Sequence, residues 1–93
     1  MPRSIAVASG TAGVQAATGA ATLAGYSVRE SAGSPLAATV ILRNGTSAAG
    51  AAVAFIEIGA DASQTVTLPA IDCPNGIFVD RVAGTSEIAI FVL

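Results

Sequence analysis

The chain has 93 residues, of which 53% are hydrophobic and 11% charged, with four arginines, six carboxylates, a formal net charge of −2 and neither histidine nor lysine. These absences exclude Ser-His and Cys-His pairs, Ser-Lys dyads and Schiff-base lysines, and a single cysteine, Cys73, excludes an internal disulfide and a Cys/His zinc site. Scattered charge gives no basic stripe for a nucleic acid, no run approaches the ~18 apolar residues of a membrane helix, and four aromatics are too few for the girdles of a membrane barrel.

Residues 1 to 21 are rich in Ala, Gly, Thr and Ser and carry one charge, Arg3. The apolar stretch Ile5 to Ala8 is too short for a signal peptide, and a short strand is expected at Ser4 to Ala8, closed by Ser9-Gly10 and Gly13. The segment reads either as an arm or as an edge strand that orders on a partner. Its low charge favours the strand, because disordered segments usually stay soluble through charge. Arg3, Ile5 and Val7 are accordingly candidate subunit contacts, and residues 22–93 are expected to form the β-sandwich domain.

Strand-like runs then recur at Thr22 to Glu30, Ala38 to Arg43, Ala52 to Ile58, Gln64 to Leu68, Ile77 to Val82 and Glu87 to Val92. Between them lie Ala32-Gly33-Ser34-Pro35, Asn44-Gly45, Gly59 to Ser63, Pro69 to Gly76 and Gly84-Thr85, with Gly and Pro at turn positions. Alanine is the best helix former, and there are 21 of them. Against a helix, Val, Ile and Thr concentrate in the runs, and the interruptions come too often for ten helical residues in succession. Alternation agrees: Val66 and Leu68 oppose Thr65 and Thr67, and Val40 and Leu42 oppose Thr39, Ile41 and Arg43. Six to eight strands without helices close a core as a sandwich or a barrel.

In the first long run, Tyr26, Val28 and Glu30 share one face and Ser27 and Arg29 the other. With Tyr26 and Val28 as core anchors, Glu30 falls at the rim, where it caps a turn or meets Arg81. Arg29 then points outward toward Glu57, Asp80 or a partner's carboxylate, and is a candidate subunit contact. Phe55, Phe78 and Phe91 are the other expected core anchors. The last run, Ile88 to Leu93, is apolar on both faces, as suits a strand central in its sheet or one against another subunit. Asn44-Gly45-Thr46 matches a glycosylation sequon but reads as a hairpin turn. A carboxylate pair such as Asp80 and Glu87, on adjacent strands, could serve as acid and base, and solvation or pairing with arginine is the simpler expectation. No catalytic, metal or cofactor-binding residue is expected.

An alanine-rich interior stabilises little per residue, at roughly 25 cal/mol per Å² buried, and 11% charge falls short of the roughly 25 to 35% usual on a free-standing domain. Apolar exterior on that scale calls for a covering partner.

The string Gly25-Tyr26-Ser27-Val28-Arg29-Glu30-Ser31, then Ala38 to Gly45, Leu68-Pro69-Ala70, Pro74 to Val79, and Gly84 before a terminal apolar strand resembles small virion proteins of tailed bacteriophages. These are minor capsid, decoration or cement proteins, and the likeness spans about residues 22 to 93. It implies an all-β, jelly-roll-like sandwich of about six to eight antiparallel strands with an N-terminal arm. It also implies a non-enzymatic role on the capsid surface after synthesis in the host cytoplasm, as a homo-oligomer, by preference a trimer, bound to the major capsid protein. The alternatives are a tail, connector or head-fibre component, or a small carbohydrate-binding module for host attachment.

Overall fold

Val40 and Leu42 are fully buried while Thr39, Ile41 and Arg43 between them are half-buried on the other face, and the same period-two alternation runs through most of the chain. A computed structural model describes residues 3–93 and places eight strands in them, with no helix among the described residues. The strands are β1 (Arg3–Gly10), β2 (Val14–Ala17), β3 (Ala21–Glu30), β4 (Ala38–Asn44), β5 (Ala51–Ile58), β6 (Ser63–Cys73), β7 (Ile77–Ala83) and β8 (Ser86–Val92).

Pairing is antiparallel throughout and makes two four-stranded sheets, ordered β1-β8-β3-β6 (sheet A) and β2-β7-β4-β5 (sheet B). The pairs β1·β8, β2·β7, β3·β6 and β4·β5 are those of one long ribbon folded back on itself at the β4–β5 hairpin. Rolling that ribbon adds β3·β8 and β4·β7 and leaves successive strands in opposite sheets except at the β4–β5 hairpin, which is the jelly-roll sandwich.

The segment expected as an arm or edge strand supplies one edge strand to each sheet, so the sandwich begins at Arg3 rather than near residue 22. Met1 and Pro2 lie outside the described residues. The strand expected at 64–68 runs on to Cys73, past Pro69. Proline has no N–H for a ladder, and here it sits on an edge strand inside a bulge: three residues of β6, Leu68 to Ala70, face the single Ala24 of β3.

The core is aliphatic. Leu23, Val40, Leu42, Ile77, Val79 and Ile90 are wholly buried between the sheets, joined by Val28, Ile56, Ile88 and the ring of Tyr26. The three phenylalanines are not core anchors. Ile56 and Ile58 take the inward positions of β5, Ile77 and Val79 those of β7, and Ile90 and Val92 those of β8, so alternation turns Phe55, Phe78 and Phe91 outward. Phe78 and Phe91 each lie over a glycine: a Cβ on Gly13 would fall 2.6 Å from the Phe78 ring, and one on Gly25 would fall 3.1 Å from the Phe91 ring. No glycine seats Phe55, which is 73% exposed.

One end of the sandwich is tied by polar side chains and the other by a tight glycine turn. At one, Gln15 Nε2 donates to the carbonyls of Ala17, Gly45 and Ile77, and Asn44 Oδ1 accepts from the Asn75 N–H. Asn44 thus closes β4 ahead of a six-residue hairpin loop, Gly45 to Gly50. At the other, Gly84 turns β7 into β8 with φ 78°, and a Cβ there would be 2.6 Å from the Ala37 carbonyl.

Candidate docking faces

Sheet A turns outward a surface of small residues. Cross-strand register aligns Ala6, Ala89, Ser27 and Thr65 in one row and Ser4, Phe91, Gly25 and Thr67 in the next. Ser27 Oγ and Thr65 Oγ1 are 3.0 Å apart. The charged row is Arg29 opposite Glu87, with Nε donating to Oε1 at 2.6 Å. Arg29 therefore meets neither Glu57 nor Asp80, because β8 inserts between β1 and β3 and brings its own carboxylate alongside. The side chains are 64% and 44% exposed, so the pair contributes only ~0 to 1 kcal/mol. The Ala6, Ala89, Ser27 and Thr65 row and the Arg29–Glu87 pair line a shallow open depression of about 520 Å³.

Of the other expected contacts, Arg3 is exposed at the start of β1, whereas Ile5 is half-buried against the core and Val7 is 4% exposed within it. Val7 and Ile5 are spent on the interior because alternation aligns them with Ile88 and Ile90 of the neighbouring strand.

Sheet B is more apolar outside. Phe55 stands opposite Ile41, which stands opposite Asp80, and Val82 bulges outward between Arg81 and Ala83 with 56% exposure. Leu36, in the β3–β4 connection, is 64% exposed. Arg43 Nε donates to Asp80 Oδ2 at 2.9 Å and its Nη1 to the Gly50 carbonyl at 2.9 Å, which leaves Glu57 as the uncompensated charge on this face. Asp80 and Glu87 lie in opposite sheets, each beside an arginine, so they form no acid and base pair.

No protein-family model, curated protein or solved structure matches this chain. Its surface chemistry must therefore be read from its own residues. Among the described residues no three Asp, Glu or Cys side chains converge as metal ligands. Cys73 is wholly buried, and burial, then the charge of Asp72, pushes its thiol up from the ordinary range.

Glu30 is buried at the rim and caps two loops. Its carboxylate accepts from the backbone N–H of Asp61 at 2.9 Å and of Ala32 at 2.5 Å, and these bonds hold its carboxyl below the ordinary 4.5. Arg81 is engaged elsewhere: Nη2 donates to the Ala8 carbonyl at 2.5 Å and Nη1 to that of Ala12 at 3.2 Å. Because the folded-state value of Glu30 lies below the unfolded one, its stabilisation is complete above about pH 4.5 and is lost as pH falls through the folded value. Melting curves of the wild type and Glu30→Gln should differ at neutral pH and converge in acid. A gap that persists unchanged to pH 2 would show that the carboxylate charge is not what closes these loops.

Proposed function

We propose that this chain is a non-enzymatic structural protein of a bacteriophage virion, a decoration or cement protein that docks on the major capsid protein, oligomerises there and stabilises contacts between shell subunits. The observation that carries this reading is the outer face of sheet B, where Phe55, Ile41 and Val82 lie exposed or half-exposed beside one internally paired arginine. A free-standing domain with four arginines and six carboxylates keeps such a face soluble only poorly, and a face of this kind is best accounted for by a covering protein. The resemblance of residues 22 to 93 to phage virion proteins supplies the kind of partner, and jelly rolls serve both shells and lectins. Sugar binding through Tyr26, the ring the carbohydrate reading rests on, is disfavoured because that ring is 5% exposed in the core.

The test compares purified particles assembled with and without the protein. Particles lacking it should break at lower temperature or force, and it should be present in numbers comparable to the major capsid protein. Unchanged particle stability would overturn the cementing role, and a few copies per particle would move the protein to the tail, connector or fibre.

A further inference from the structure

Four strands end the two sheets, and three of their free edges are guarded. Natural sheets block edges with short strands, bulges, proline and charge, because a bare edge is a template for another strand. β2 has only four residues. β1 is interrupted by a bulge between Val7 and Gly10, with the Ala8 carbonyl already taken by Arg81. β6 carries Pro69 within its bulge and Asp72 near its end. β5 is the least guarded from Ala54 to Ile58: its irregularity lies before this stretch, at Val53, it has neither proline nor arginine, and the single charge Glu57 is the only blocking device there. It also bears Phe55, the phenylalanine that no glycine seats.

We propose that β5 pairs antiparallel with β5 of a second copy about a two-fold axis, joining the two B sheets into one of eight strands. The register that sets Phe55 opposite the same residue of the second copy brings both exposed rings together and places Ala54 opposite Ile56, a small residue against a large one. It also sets Glu57 opposite Val53, so the two Glu57 side chains stand four residues apart, about 13 Å along the strands at ~3.3 Å per residue. That exceeds the ~8 Å screening length at physiological salt, so this register incurs little repulsion. A second copy is the occupant the edge fits, because the edge holds no cation and a single carboxylate with which to select a foreign charged strand. An isologous pair also uses both β5 edges and stops at two, where head-to-tail pairing would continue.

The pairing requires no virion and is tested in solution; it covers Phe55 and leaves Ile41 and Val82 as the face on which the proposed function rests. Sedimentation equilibrium of the full chain should give twice the 9.0 kDa chain mass, and Phe55→Lys should weaken association by about 30-fold or more, the scale of an interface hot spot, with its monomer melting point unchanged. Under mild oxidation Phe55→Cys should form a disulfide-linked dimer readily and Glu57→Cys should not. A mass of one or three chains, a dimer indifferent to Phe55→Lys, or equal cross-linking at positions 55 and 57 would overturn the proposal.

Discussion

Replacing Arg81 by methionine is expected to lower the unfolding free energy by about 3 kcal/mol, the scale of two hydrogen bonds to a charged donor. The guanidinium is buried, no carboxylate among the described residues pairs with it, and burial pulls its pKa down. Its work is mechanical: it spans from β7 to the Ala8 and Ala12 carbonyls and so pins the corner between β1 and β2, with Gly10 leaving room for Nη1. Methionine keeps much of the stem and takes the donor away from both part-buried carbonyls, which isolates the hydrogen bonds from the packing. For a domain of this size the melting point should fall by about 12 to 24 °C. Hydrogen exchange should locate the loss, with amides of residues 3–17 deprotected well before those of β3, β4 and β7. A variant that melts like the wild type and protects those amides equally would show that the corner is held by strand pairing alone.

Leu42→Ala should cost about 2 to 5 kcal/mol, a transfer term plus a cavity term, because Leu42 is wholly buried in a strand flanked on both sides by hydrogen-bonded neighbours. For a chain of 93 residues whose whole stability is of the order of 5 to 14 kcal/mol, that is a large share. The informative comparison is Phe55→Ala, which removes more carbon and should leave the monomer's unfolding free energy within about 0.5 kcal/mol, since the ring is mostly in water. Chemical denaturation of both variants at concentrations low enough to keep the monomer checks this. Equal losses would mean that the Phe55 ring is packed and that the outward face of sheet B is covered within the monomer.

The strands from β3 onward were legible because Val, Ile and Thr alternate there and Gly, Pro and Asn mark most of their ends. β2 was not: Val14-Gln15-Ala16-Ala17 offers no alternation, and what fixes it is Gln15 reaching three carbonyls, two of them distant in sequence. The phenylalanines misled for a physical reason. Size suggests the interior, but each lies beside isoleucine or valine at the opposite parity, and those aliphatic pairs decide which face turns inward. That parity was present in Ile56 and Ile58, and in Ile90 and Val92. The partner of Arg29 was beyond reach, since it depends on which strand enters between β1 and β3. The face of sheet B and the lightly guarded β5 edge likewise appear only when sheet order is known.

That sheet order has a consequence for the time course of folding. β8 lies between β1 and β3 and pairs with both, so sheet A cannot assemble until Ser86 to Val92 have left the ribosome. During synthesis β1 and β3 wait without their common neighbour, and every ribbon pair except β4·β5 joins strands separated by other strands. Contacts this remote in sequence place the domain among slow folders, on the millisecond to second scale. The near absence of charge that suits a covered surface therefore becomes a hazard in the nascent chain, whose aliphatic runs must stay apart until residue 92 is made.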